Sequence, residues 1–202
     1  MKSIITLTLC LGMAVGVNAQ VFKNTKESKY QFKEVVRLDA SPVESQGRTG
    51  TCWSFSALSF LESEIMRINK LEEPIVLSEM FIVRKAYEAK AEKYIRMDGR
   101  TNFGEGGAFH DIPFVIENFG ILPRSEYTGK KKKKDVYNHG AMFEKLDSIV
   151  QKAKAAGKGL RADWITAYND VLDDDIGALP ESFNYKGVEY TPEAFYNSLN
   201  ID

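Results

Sequence analysis

Cysteine is scarce in this chain: Cys10 and Cys52 are the only two among 202 residues. The first sits in an N-terminal run that reads as a cleavable leader, so Cys52 is expected to stand alone in the mature protein. A single cysteine excludes an internal disulfide framework, and the core must hold the fold together. Histidine is equally scarce, with only His110 and His139. An excess of either charge is missing too: 27 Lys and Arg against 28 Asp and Glu leave a formal net charge of -1. That balance offers no overall pull towards nucleic acid or anionic lipid. Lys130 to Lys134 form the one basic run. No aromatic residue interleaves it and no second cluster supports it, so a solvated loop is expected and no nucleic-acid partner. Long apolar runs are absent beyond the first residues, and no internal repeat is present.

Lys2, the apolar run Ile4 to Val17 and the small residues of Val17-Asn18-Ala19 form a signal-peptide pattern. Residues 1–19 are therefore expected to be removed between Ala19 and Gln20, and the protein to be exported to the periplasm or beyond. The run is short for a bilayer span, so no stable membrane insertion is expected. A lipoprotein signal on Cys10 is set aside because Leu9, just before it, is not small. The whole chain has the 44% hydrophobic and 27% charged balance of a soluble globular protein.

After a polar start, Glu34 to Leu38 reads as a short extended stretch. The loop Ser45-Gln46-Gly47-Arg48-Thr49-Gly50 leads into Cys52, where a helix is expected to run to Asn69. Trp53, Ala57, Phe60, Leu61, Glu64, Ile65 and Ile68 recur at helical steps, and Phe55 and Leu58 widen the apolar face. That face predicts a central, buried helix. Ser78 caps a second helix to about Tyr94, and Gly99 to Gly107 form a loop. Further helices are expected from about Phe109 to Phe119, from Met142 to Ala156 with Asn138 as cap, and from about Ala162 to Leu172. Phe183 to Tyr185 and Val188 to Tyr190 read as a hairpin turning at Lys186-Gly187. Pro192 opens a last helix.

The chemistry centres on Cys52. A thiol attacks a carbonyl carbon as thiolate, and the first turn of a helix favours an anion through its unpaired N–H groups and dipole. Gln46 lies six residues earlier across a glycine-containing loop. Its amide is placed to join the backbone N–H of Cys52 in holding the oxyanion of a tetrahedral intermediate. The competing reading is a buried structural cysteine beside a core tryptophan.

Gln46-Gly47-Arg48-Thr49-Gly50-Thr51-Cys52-Trp53 resembles the active-site segment of papain-like cysteine peptidases, where Gln, then Cys six residues on, then Trp recur. Thr49 stands where the usual motif has a disulfide-forming cysteine, and Thr51 where it has Ser or Ala. Leu77-Ser78-Glu79 resembles the start of the family's second helix, and Gly104-Glu105-Gly106-Gly107 the loop lining its substrate cleft. Only about 25 residues separate Gln20 from Gln46, too few for the usual helical propeptide. The tail from Ala178 to Tyr196 looks like the insertion of the bleomycin hydrolase and aminopeptidase C branch.

The resemblance implies an α+β papain-like fold, with the helical lobe largely present, a β-rich lobe incomplete and the branch insertion at about 130–202. It implies a thiol peptidase acting on peptide substrates, with Cys52 as nucleophile, Gln46 as oxyanion donor and Gly106 and Gly107 contacting the substrate backbone. No metal or cofactor is implied, and a homo-oligomer is left open. The family's catalytic histidine and asparagine are expected downstream. His110 and His139 read as ordinary surface or capping residues, so the chain is expected to be the front part of an enzyme and inactive alone. Acyl transfer through the same thioester stays open, as does an inactive relative that binds peptides or a partner.

Overall fold

The computed structural model describes residues 24–157 and 163–201, so the leader reading of residues 1–19 lies outside the described residues. The chain divides into two compact units, Met1–Arg37 and Leu38–Asp202. In the first, Asn24 exchanges two hydrogen bonds with the backbone of Phe32, at 2.6 and 2.8 Å, around a turn. The stretch Glu34 to Leu38, expected to be extended, belongs to neither strand of the described residues, and Val35 is 88% exposed. β-branched residues favour extended backbone, but a strand needs a ladder.

Among its described residues the second unit carries six helices and a two-stranded sheet: α1 Cys52–Asn69, α2 Glu79–Arg96, α3 Asp111–Phe119, α4 Gly140–Ala155, α5 Asp163–Ile176, β1 Phe183–Tyr185, β2 Val188–Tyr190 and α6 Pro192–Ser198. The bounds of α1, the hairpin and the start of α6 agree with the sequence expectation. The expected start of the fifth helix, Ala162, falls outside the described residues. Its far end runs on to Ile176, where Asp173 pairs with Arg84 and Asp175 with Lys145. The fourth helix starts at Gly140, earlier than expected, and Asn138 Oδ1 accepts only from Gly140 N, at 3.4 Å.

The central helix is α2, not α1. It touches α1, α3 and α4, and Met80, Phe81, Ile82, Val83, Ala86, Tyr87, Ala91 and Ile95 are all buried. Each large apolar side chain so buried stabilises the fold by about 1.5–3 kcal/mol. Ser78 caps the helix as expected, accepting from Phe81 N at 3.1 Å, and donates to Tyr127 O at 2.6 Å. By contrast, α1 buries one face, through Trp53, Ala57, Leu58, Ile65 and Met66. Its other face is open: Cys52, Ser56, Ser59 and Arg67 are exposed, and so are Phe60 at 55% and Ile68 at 48%. Of the serines that interrupt the apolar pattern, Ser56 and Ser59 lie on that open face, whereas Ser54 is buried and donates to Glu79 O at 3.0 Å.

An aromatic cluster fixes the loop between α2 and α3. Phe103 stacks on Phe143 of α4 with centroids 5.0 Å apart. Phe143 meets Tyr87 edge-on at 5.6 Å, and Tyr168 of α5 donates to Tyr87 O at 3.0 Å. At the far end, β1 and β2 pair antiparallel with Phe183 opposite Tyr190, and Phe195 of α6 packs edge-on against both. Lys131 to Lys134 are exposed, as a solvated loop requires.

Candidate active site

The loop before α1 is knotted by its own side chains. Gln46 Nε2 donates to Thr49 O at 2.6 Å, and Thr49 Oγ1 donates back to Gln46 O at 2.9 Å. With the Thr49 hydroxyl so committed, Thr51 is the donor in the 2.5 Å contact between the two threonine hydroxyls. Thr51 is fully buried. The segment before α4 anchors this loop from outside: Arg48 N donates to Tyr137 O at 2.8 Å, and His139 N to Arg48 O at 3.4 Å. Gly47 has φ of 62°, and a Cβ there would lie 2.5 Å from Tyr137 O. Only glycine fits both the left-handed backbone and that approach.

This scaffold delivers Cys52 to the first position of α1, exposed, while the next residue, Trp53, is buried at 6%. A structural cysteine sealed in the core is thereby excluded. Gln46 is half-buried, with its amide engaged on Thr49 O. The unpaired N–H groups of the first helical turn lie beside the sulfur.

Gly106 and Gly107 lie on the loop that Trp53 supports. The indole Nε1 donates to Glu105 O at 3.1 Å, and Glu105 Oε2 accepts from Gly50 N at 2.7 Å. From α2, Lys90 Nζ donates to Gly106 O at 2.6 Å and stands 4.9 Å from the centre of a Trp53 ring. Asp111 Oδ2 accepts from Ala108 N at 2.8 Å and lies 3.8 Å from Lys90 Nζ. Burial lowers the pKa of Lys90, and Asp111 opposes that shift. The two glycines differ: a Cβ on Gly106 would meet open space, but one on Gly107 would strike the Trp53 ring at 2.6 Å. The structure thus brings the cysteine segment and the glycine loop together. Glu105, Lys90 and Asp111, which do the joining, were not singled out by residue type, since each reads as an ordinary helix or loop charge.

Neither histidine is hydrogen-bonded to Cys52. His110 is exposed beside Asp111, with Nε2 3.8 Å from Oδ1, as the sequence suggested. His139 stands at the N-cap position of α4, as the sequence placed it, but corrects the expectation of a surface residue or a side-chain cap. It is 2% exposed, makes no side-chain cap bond and lies edge-on to Tyr87 and Tyr137. Burial pushes its pKa down to about 4, against a smaller opposing effect of Asp175.

A groove of about 930 Å³ runs between α2 and α3 behind the glycine loop, lined by Lys90, Gly106, Gly107, Asp111, Phe114 and Phe119, but not by Cys52 or Gln46. Among the described residues, no group of three or more His, Cys, Asp or Glu side chains is placed to hold a metal ion, and no helix is long and apolar enough to cross a membrane.

An exposed cysteine opening a helix, over a buried tryptophan and beside a paired-glycine loop, defines a thiol-peptidase scaffold. The family described as papain family cysteine protease matches residues 28–174, and the chain belongs to that family. Aminopeptidase C of Lactobacillus delbrueckii subsp. lactis is 23% identical over 186 residues, covering 78% of this chain and 40% of that protein. Human bleomycin hydrolase is 24% identical over 214 residues, covering 89% and 44%. The oryzain beta chain of Oryza sativa subsp. japonica is 29% identical over 157 residues, covering 76% and 27%. The crystal structure of PepW from Lactobacillus rhamnosis superposes with a TM-score of 0.61 at 18% identity, covering 82% of this chain and 45% of that one. The fold is therefore papain-like. It is mostly helical here, with the β1–β2 hairpin as the sheet among the described residues. The chain spans less than half the length of each of these relatives.

Proposed function

We propose that this chain carries the thiol-bearing part of a cysteine peptidase of the aminopeptidase type. Cys52 Sγ, as thiolate, attacks the carbonyl carbon of a peptide held along Gly106 and Gly107. The S–C bond forms, and the carbonyl electron pair moves onto an oxygen held by the Cys52 N–H and the Gln46 amide. Collapse breaks the C–N bond, the leaving amine takes a proton, and water then hydrolyses the thioester. The proton carrier is a histidine oriented by an asparagine, expected in downstream sequence, since His110 stands beside Asp111 and His139 is buried against Tyr87 and Tyr137. The isolated chain is therefore inactive in turnover. The position of Cys52, exposed on the first turn of α1 over buried Trp53, carries this reading. The name of one relative, aminopeptidase C, supports the exopeptidase class. The leader pattern supports export, and N-terminal sequencing of protein recovered outside the cytoplasm is expected to start at Gln20.

A second reading, a peptide-binding module without chemistry, is favoured by the placement of His110 and His139. Labelling by a peptidyl chloromethyl ketone separates the two. In this reaction the Cys52 sulfur displaces chloride and forms an S–CH₂ bond. The peptidase reading expects Cys52 to be modified at least about tenfold faster than by chloroacetone, which carries the same reactive group without the peptide, because peptide binding places the reactive carbon at the sulfur. Equal rates with measurable peptide binding would favour the binding module.

A further inference from the structure

We propose that Glu105 is the positioning residue that sets Cys52 against the glycine loop, an inference that rests on the peptidase reading above. Two hydrogen bonds join the segment before and at the start of α1 to the loop carrying Gly106 and Gly107, and both end on Glu105. Its backbone oxygen accepts from the Trp53 indole at 3.1 Å, and its carboxylate accepts from Gly50 N at 2.7 Å. The second is a charge-assisted bond, the stronger kind. It fixes the peptide plane two residues before Cys52, and so the direction in which the chain enters α1.

The approach is close enough to constrain both residues. A Cβ on Gly50 would stand 2.9 Å from Glu105 Cβ, so any side chain at Gly50 would push the carboxylate away. The Thr49 hydroxyl, where the papain-like motif has a disulfide-forming cysteine, is committed within its own loop. The link across to the glycine loop falls to the Glu105 carboxylate instead. On the far side, Lys90 and Asp111 hold Gly106 O and Ala108 N, so the loop has a fixed back. Glu105 transmits that fixed position to the cysteine. It touches neither sulfur nor substrate, and its effect is geometric.

Two variants separate position from charge. Glu105→Gln keeps an acceptor oxygen of the same reach for Gly50 N and removes the charge; Glu105→Ala removes both. The readouts on the full chain are the ratio of Cys52 modification by a peptidyl chloromethyl ketone to that by chloroacetone, and the hydrogen exchange of the Gly50 amide. Glu105→Gln is expected to stay within about twofold of wild type in the ratio. Glu105→Ala is expected to lose about tenfold in it, with chloroacetone modification unchanged and Gly50 exchange faster. If Glu105→Ala does not fold, Glu105→Asp, one methylene short of Gly50, is expected to give the same loss. A wild-type ratio in the folded Ala or Asp variant would overturn the role of Glu105 and leave the peptidase reading intact. A Gln variant as impaired as Ala would overturn positioning by this hydrogen bond. Absence of any preference in the wild-type chain would instead sink the peptidase reading, and this role with it.

Discussion

The indole ring of Trp53 fills the space into which a side chain on Gly107 would project: a Cβ there would lie 2.6 Å from two ring atoms and 2.8 Å from Asp111 Oδ2. Glycine at 107 is required by the packing beneath the loop, whereas Gly106 faces open space. Gly107→Ala is therefore expected to cost about 1–3 kcal/mol, the usual penalty of overpacking. Gly106→Ala is expected to stay within about 0.5 kcal/mol of wild type. Urea unfolding of the two variants checks this, and equal costs would contradict it.

Arg124 neutralises two carboxylates at once. It reaches Glu44 at 2.5 Å and forms a two-pronged pair with Glu79, one bond of which is 3.0 Å. Glu79 is 5% exposed, and burial raises its pKa, with the charge of Arg124 opposing. Arg124→Ala would leave that carboxylate buried without its cation and is expected to destabilise by about 3–5 kcal/mol. Adding Glu79→Gln removes the stranded charge and is expected to recover part of the loss. Chemical denaturation of the single and double variants measures both, and a double variant no better than Arg124→Ala would contradict the account.

His139 makes the fold acid-sensitive. Its pKa falls from an ordinary 6.5 to about 4 on burial, so the unfolded chain binds this proton more readily than the folded one. The stability it contributes is complete above pH 6.5 and is lost as pH falls towards 4, by about 3 kcal/mol in all. Glu62 and Glu79 act in the opposite sense, because burial raises their pKa values. His139→Phe keeps a ring between Tyr87 and Tyr137 and does not titrate, and the two glutamates are common to both proteins. The stability of wild type relative to this variant is expected to shrink between pH 6.5 and 4. A pH-independent difference would contradict the burial of a neutral His139.

Local signals were legible and long-range ones were not. Helical periodicity from Cys52, the Ser78 cap and the Lys186-Gly187 turn each depend on a few neighbouring residues, and the structure reproduces them. The expectation that α1 is the central helix failed because periodicity reports how apolar a face is, not what covers it. The four-residue apolar run Met80 to Val83 in α2 was the better sign of a helix buried all round at its start. His139 read as a surface residue because its burial depends on Tyr87 and Tyr137, which lie on other segments. At the candidate site, Cys52, Gln46, Gly106 and Gly107 were proposed from motif spacing and resemblance. Glu105 and Lys90 act across gaps of 55 and 16 residues, which no local pattern encodes.

The central claim is that the Cys52 sulfur and the Gln46 amide together stabilise a tetrahedral carbon. A peptidyl aldehyde tests it directly. The Cys52 thiol adds to the aldehyde carbon, the S–C bond forms, and the thiol proton ends on the former carbonyl oxygen. The aldehyde is expected to bind the chain at least about a hundredfold more tightly than the corresponding alcohol, as transition-state mimics do. That advantage should vanish in Cys52→Ala and fall about tenfold or more in Gln46→Ala. An aldehyde that binds no better than the alcohol, or an advantage that survives in Cys52→Ala, would contradict the assignment.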